Sequence, residues 1–191
     1  MRCGRSGAGY RTDMAELNGK RIAIIATSFF EEAELVKPRD ELRAAGAEVK
    51  VYSTSTEPIQ AVEGDTEPTQ KVDVDGTFDD IDVDDIDALI VPGGTINADS
   101  IRAEEKAQAL VKAVDDAGKP LAVICHGPWL LVSAGLVAGR RLTSFPSLSI
   151  DVKNAGGDWV DEEVVVDGNL ITSRNPDDLP AFVKAITDAL S

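Results

Sequence analysis

The stretch Leu121-Ala122-Val123-Ile124-Cys125-His126-Gly127-Pro128 leaves its backbone few choices. Five apolar residues in a row, from Leu121 to Cys125, read as a strand buried on both faces. Gly127 and Pro128 then force a sharp turn, and Pro128 suits the first position of a helix. Trp129-Leu130-Leu131-Val132 continues as that helix, which ends near Gly135. A cysteine on such a strand-turn-helix corner is pushed into the open at the edge of a sheet, the geometry of a nucleophile elbow with Cys in place of Ser. The corner also aims a helix N-terminus, about half a positive charge, at the sulfur. A free thiol has a pKa of about 8.5 and such settings lower it to roughly 3.5–7.5, so a reactive thiolate is expected at Cys125. Beside it stands His126, the single histidine of the chain. The competing reading is a small buried hydrophobe with no chemistry.

Around this corner strands and helices alternate. Residues 21–26, 48–52 and 87–91 are strands, the last followed by Pro92-Gly93-Gly94. Ser28-Phe29-Phe30-Glu31 fits a capping box that opens a helix running to about residue 45 and stopping at Gly46. The polar stretch 53–77, broken by Pro58, Gly64, Pro68 and Gly76, holds short strands near 59–62 and 71–74, a hairpin at the sheet's edge. One helix is predicted from about residue 99 to 117, closed by Gly118. Later come a short strand at 140–143, a helical stretch at 147–154 ending at Gly156-Gly157, and a hairpin turning at Asp167-Gly168-Asn169. Asn175-Pro176 caps a last helix through residue 190.

The pattern predicts an α/β fold: a flavodoxin-like three-layer sandwich with a mostly parallel sheet and a nucleophile elbow. The domain is expected to span 19–191, after a disordered, Arg-, Gly- and Ser-rich tail at 1–18 that lacks the apolar core of a signal peptide. Gly4 to Gly9 imitate a phosphate loop but follow no strand, and Cys3 is a bystander.

Charge narrows the partners. With 34 acidic against 19 basic residues and a net charge of −15, the chain offers neither a nucleic-acid surface nor a face for an anionic membrane. No apolar run reaches the roughly 20 residues of a membrane span. Two cysteines make no disulfide framework, and a cytoplasmic location is expected. The Asp-rich run 73–87 fails as a calcium loop because Lys71 would occupy the first ligand position. It is read as a solvated face with Ile81 and Ile86 turned inward, so no metal and no cofactor are expected.

In open α/β sheets the site lies beyond the carboxyl ends of the strands. Three such ends carry suggestive residues: 28–34, Gly93-Gly94 and Cys125-His126. Gly93 and Gly94, with the N–H of His126, can form an oxyanion hole, or the glycines serve only a turn that needs positive φ. Glu31 is explained as the capping partner of Ser28. Glu34 either pairs with Lys37 on the surface or points under the elbow, where a carboxyl kept protonated by burial can donate to the sulfur. No histidine follows His126, so the glutamine amidotransferase triad, whose His and Glu come from a later segment, is unavailable.

Four segments together resemble the PfpI family, in order and spacing, over about residues 20–190. They are Ala122-Val123-Ile124-Cys125-His126-Gly127-Pro128, Phe30-Glu31-Glu32-Ala33-Glu34-Leu35, Val91-Pro92-Gly93-Gly94, and Asn154-Ala155-Gly156-Gly157 with Glu163-Val164-Val165-Val166-Asp167-Gly168-Asn169. These are intracellular cysteine peptidase-like proteins of the superfamily that includes the parkinsonism-associated protein deglycase. The resemblance implies Cys125 as nucleophile, His126 as its base, and Glu34 as the acid that hydrogen-bonds the thiol. It implies that an acid in the loop after Gly93-Gly94, here Asp99, reaches His126 from the neighbouring subunit of an obligate homo-oligomer, a dimer or trimer of dimers. Many members carry Glu there, one methylene longer. Glu31 and Phe145 fall on the substrate side, Phe145 where some members have Tyr. The implied activity is a cysteine hydrolase of peptidase, deglycase or glyoxalase type acting on a small carbonyl or peptide substrate. The alternatives are a stress protein whose Cys125 is oxidised to sulfenic or sulfinic acid, and a holding chaperone with a vestigial site.

Overall fold

Apolar runs that do not alternate become strands covered on both faces, and here they take the middle of the sheet. The computed structural model describes residues 16–191. In chain order it begins with β1 (Arg21–Ile25), β2 (Phe30–Glu31), α1 (Glu32–Ala44), β3 (Glu48–Ser53), β4 (Ile59–Glu63), β5 (Glu67–Val72) and β6 (Gly76–Thr77). The middle third holds β7 (Ala88–Val91), α2 (Thr95–Arg102), α3 (Glu105–Asp116), β8 (Leu121–Ile124) and α4 (Pro128–Ala134). The chain ends with β9 (Arg141–Leu142), α5 (Ser149–Asn154), β10 (Asp158–Trp159), β11 (Val164–Asp167), β12 (Leu170–Ser173) and α6 (Leu179–Leu190).

Seven strands form the central sheet in the order β11-β12-β8-β7-β1-β3-β6. All neighbours are parallel except β11, which returns antiparallel on β12 around the predicted Asp167-Gly168-Asn169 turn. Every residue of β7 and β8 is buried. Side chains alternate between the two faces, as the strand period of two requires. Ile22 and Ile24 pack with Leu35, Leu42, Phe182 and Ile186 of α1 and α6. Ala23 and Ile25 belong to the opposite core, with Val111 and Val114 of α3 and Leu130 and Leu131 of α4. The architecture is therefore the expected α/β three-layer sandwich with a mostly parallel sheet. No helix among the described residues is long and apolar enough to cross a membrane.

Four expectations need correction. The predicted helix 99–117 is two helices, α2 and α3, and it starts earlier, at Thr95. Ile101 and Leu110 are both buried. Nine residues apart at roughly 100° each, they would lie on opposite sides of one straight helix, so the chain breaks between them. The hairpin of β4 and β5 is not at the edge of the main sheet, where β6 sits; with β2 it makes a separate three-stranded sheet. The capping box does not form, because Phe30 and Glu31 are drawn into pairing with Ala61 and Val62 and the helix starts at Glu32 without a side-chain cap.

The fourth concerns the tail. Leu17 is fully buried and its N–H donates to the Ala45 carbonyl at 2.7 Å, so the packed domain reaches two residues beyond the expected boundary at 19. Residues 1–15, with Cys3 and the Gly4–Gly9 stretch, lie outside the described residues. Leu17→Ala is expected to destabilise the fold by about 2–4 kcal/mol in urea denaturation, the usual consequence of emptying a leucine-sized space in a core. A loss under about 0.5 kcal/mol, the level of an exposed site, would place Leu17 outside the core.

The acidic run is more structured than a solvated face. Asp75 accepts from the Val51 N–H at 2.8 Å, Asp80 from the Thr77 N–H at 2.7 Å, and Asp87 from the Arg21 N–H at 2.7 Å. Short carboxylates thus accept backbone N–H groups of β1, β3 and β6. Ile86 is buried as expected, and Ile81 is only half-buried.

Candidate active site

Strand β8 delivers the chain to Cys125, which adopts φ 62, a left-handed conformation that non-glycine residues seldom take. Tertiary hydrogen bonds hold it there. The Cys125 N–H donates to the Ser173 carbonyl at 3.0 Å, and its carbonyl accepts from the Phe145 N–H at 2.8 Å. The turn closes with the Gly127 N–H on the Ile124 carbonyl at 2.9 Å. A Cβ on Gly127 would stand 2.8 Å from Val123 Cγ1 and 2.9 Å from the Ile124 oxygen, so the corner has no room for one. Pro128 then opens α4, and Gly135 ends it in the left-handed conformation. The backbone is the nucleophile elbow read from the sequence.

Its sulfur is not in the open. Cys125 is only 6% exposed and His126 5%. Glu34 from α1 and the Gly93-Gly94 loop close over the corner. Burial pushes the Cys125 thiol well above the usual thiol range, ionised Glu34 would raise it further, and the backbone N–H groups of Gly94 and His126 pull the other way. The resting thiolate expected from the sequence is thus opposed by burial, against which stand these N–H groups and the dipole of a helix only 7 residues long.

Glu34 takes the inward option. It is fully buried, and its Oε2 accepts the Gly93 N–H at 2.7 Å. Oε1 is buried with no hydrogen bond of good geometry, although the carboxyl lies beside the Cys125 side chain. Burial pushes this carboxyl up to about 8, against the pull of the Gly93 N–H. At neutral pH it is a carboxylic acid, so its repulsion of the sulfur is switched off and its proton has the sulfur as acceptor.

His126 Nδ1 lies 3.3 Å from Cys125 Sγ, and Nε2 lies 3.4 Å from Thr95 Oγ1. The ring is stacked on Phe145 with centroids 4.7 Å apart and meets the edge of Trp129 at 5.4 Å. Burial holds its pKa below the usual histidine value, partly opposed by the charge of Asp65, so the ring is a neutral base at pH 7. Thr95 in turn is held by Asp65: its N–H donates to Oδ1 at 2.7 Å and its hydroxyl to Oδ2 at 3.0 Å. Asp65 itself sits at φ 66. The carboxylate of Glu31 secures that turn, accepting the Gly64 N–H at 3.1 Å and the Asp65 N–H at 3.2 Å. Among the described residues no group of three or more His, Cys, Asp or Glu is arranged to hold a metal ion.

The family model for DJ-1/PfpI matches residues 20–189. The chain belongs to the DJ-1/PfpI family. A deglycase from Thermococcus kodakarensis is 42% identical over 170 residues, which cover 89% of this chain and 99% of that protein. General stress protein 18 of Bacillus subtilis is 42% identical over 165 residues, covering 86% of this chain and 94% of that one. The crystal structure of Drosophila melanogaster DJ-1beta superposes with a TM-score of 0.81 at 29% identity, covering 90% of each chain.

Among the residues singled out through the DJ-1/PfpI resemblance, Cys125, His126 and Glu34 do converge. Gly93 does not act as an oxyanion donor, because its N–H is spent on Glu34. The Gly94 and His126 N–H groups remain on the sulfur side. Asp99 lies within helix α2, not in a loop, is exposed, and its side chain makes no hydrogen bond or ion pair with the described residues. Phe145 forms a wall of the site by stacking on His126 and is 37% exposed. Glu31 is not a capping partner, and Ser28 instead accepts the Gln60 N–H at 3.2 Å.

Three residues of this DJ-1/PfpI site escaped sequence reasoning: Asp65, Thr95 and Asn97. Asn97 is fully buried; it accepts the Thr27 N–H at 2.7 Å and donates to the Gly93 carbonyl at 2.9 Å, fixing the glycine loop against β1. Their one signal is proximity in sequence, Thr95 directly after Gly94 with Asn97 two residues further on, and Asp65 directly after Gly64. Nothing local pairs Asp65 with a residue 30 positions away.

Proposed function

We propose that this protein is a cysteine-dependent hydrolase of deglycase type that serves the stress response, with Cys125 attacking an electrophilic carbonyl. The reading is carried by one observation, a sulfur and an imidazole nitrogen 3.3 Å apart at a left-handed corner. Deglycase and general-stress-protein relatives at about two-fifths identity support it.

The site is neutral at rest: thiol, imidazole and Glu34 carboxylic acid. As sulfur bonds to the carbonyl carbon, the thiol proton passes to Nδ1 and the carbonyl π pair moves onto oxygen. The Gly94 and His126 N–H groups are donors for that oxyanion. Nδ1 then carries the proton that a leaving amine needs, and Glu34 keeps a neutral hydrogen-bond donor against the sulfur throughout. Base-assisted attack replaces a preformed thiolate, which suits the raised thiol pKa.

Cys125→Ala is expected to lower turnover of methylglyoxal adducts and small peptides by at least about a thousandfold, the scale of losing a nucleophile that works with a base. Unchanged turnover in that variant ends this reading.

A second reading uses the same sulfur. Peroxide would oxidise Cys125 to sulfinic acid, whose oxygens meet the Gly94 and His126 N–H groups and the Glu34 proton. The buried Glu34 Oε1 without a well-formed hydrogen bond favours it. Mass spectrometry after mild peroxide treatment distinguishes the two, since an unmodified Cys125 beside an oxidised Cys3 rejects oxidation at the site.

A further inference from the structure

We infer that Asp65, acting through the Thr95 hydroxyl, is the in-chain positioning acid that holds His126 in the tautomer able to accept the Cys125 proton. The inference deepens the reading of Cys125 and His126 as a reactive pair and rests on it. The number of protons available fixes the direction of each bond. The Thr95 hydroxyl has a single hydrogen to give, and a carboxylate can only accept. Asp65 Oδ2 stands 3.0 Å from that hydroxyl, while the Thr95 N–H binds Oδ1 at 2.7 Å, so the hydrogen lies on the Asp65 side. The hydroxyl then turns a lone pair to His126 Nε2 at 3.4 Å, and Nε2 must carry the ring proton. Nδ1 is left with its lone pair facing Cys125 Sγ at 3.3 Å, the arrangement a general base needs.

The supporting structure is specific to this relay. Asp65 occupies a left-handed conformation, and both N–H groups of its turn are held by Glu31 at the end of β2. Gly94, which has no Cβ, lets the chain pass so close to Phe29, Phe30 and Glu31 that Thr95 is set down opposite Asp65. The end of β2, the β4–β5 turn and the first residue of α2 thus meet at one carboxylate. Once Nδ1 has taken the thiol proton, the imidazolium has a compensating negative charge one hydroxyl away. Asp65 is the opposing charge felt by the His126 ring. Asp99, by contrast, stands exposed on α2.

Because His126 is the only histidine, the two imidazole nitrogen signals of histidine-labelled protein belong to it without assignment. In the parent protein the 15N spectrum should show Nε2 at a protonated shift and Nδ1 at an unprotonated one. Thr95→Val, which removes the hydroxyl and keeps the shape, should draw the two shifts together, and Thr95→Ser should restore them. Asp65→Asn frees the hydroxyl to donate to Nε2, and should shift the ring toward the Nδ1–H form. Both damaging variants should slow Cys125 alkylation, read on its own peptide apart from Cys3, by about tenfold, less than the roughly 10²–10⁴-fold of losing a base outright because the imidazole is kept. A parent spectrum with Nδ1 protonated overturns the inference, as do unmoved shifts in both Thr95→Val and Asp65→Asn. So does Asp99→Asn displacing the shifts while Asp65→Asn does not. If the nitrogen signature holds but Cys125→Ala keeps full turnover, the proposed function alone falls.

Discussion

Glu34→Gln should be more stable than the parent protein at pH 8.5 and close to it at pH 5. The carboxyl is fully buried, with its folded pKa pushed from 4.5 up to about 8 by desolvation. Between those values the folded state holds a proton that the unfolded state has released. The unfolded state binds fewer protons there, so stability falls as pH rises through this window. Below 4.5 both states are protonated and nothing is lost; above about 8 the loss is complete. At 1.36 kcal/mol per pH unit, the interval amounts to about 5 kcal/mol at most. Glutamine stays neutral at every pH, and its amide oxygen can still accept the Gly93 N–H. Urea denaturation of both proteins at pH 5 and pH 8.5 isolates the effect, because every other titrating group is shared. Equal losses in parent and variant across that range would mean Glu34 is ionised in the fold.

Gly94→Ala should destabilise the protein by about 2–6 kcal/mol, a large part of the 5–15 kcal/mol typical of a domain. Two penalties add. Gly94 has φ 85 and ψ 124, a region closed to L side chains, and strain of this kind costs about 1–3 kcal/mol. A Cβ there would also lie 2.6 Å from Glu31 N and from the Phe29 oxygen, and 2.8 Å from Phe30 Cα. These are backbone atoms and cannot rotate away, so the alanine must push β2 outward, an overpacking cost of about 1–3 kcal/mol. The same movement takes Glu31 off the Gly64-Asp65 turn. Gly118→Ala is the control: its φ is also positive, at 66, but nothing stands within 4 Å, and about 1–2 kcal/mol is expected. If the two variants were equally mild by denaturation, the close approach of Gly94 to β2 would not exist.

The success and failure of sequence reasoning follow one line. The elbow was legible because Ile124, Cys125, Gly127 and Pro128 act on their own backbone, and because an unbroken apolar run has few fates besides a central strand. The end of α1 at Gly46 and the Asp167-Gly168-Asn169 turn are local in the same sense. The capping box failed because Ser28 and Glu31 have the right chemistry for two destinations, and strand β4, with partners 31 and 32 residues onward, offered the better one. The single helix over 99–117 failed because its break answers the shape of the surface beneath it, which no Gly or Pro announces.

Residue order alone therefore determined the alternation of strands and helices behind the sandwich, the strand-turn-helix corner at Cys125 and the neighbouring base, since each depends on backbone preferences within a few residues. Tertiary structure decided the charge states of those groups. It buried the thiol and Glu34 together so that neither ionises readily, spent the Gly93 N–H on that carboxyl, and brought Asp65 to Thr95 behind His126. Solvation and hydrogen-bond partners are set by chain segments that meet only in the fold, so the reactivity of the sulfur was not written in its own neighbourhood.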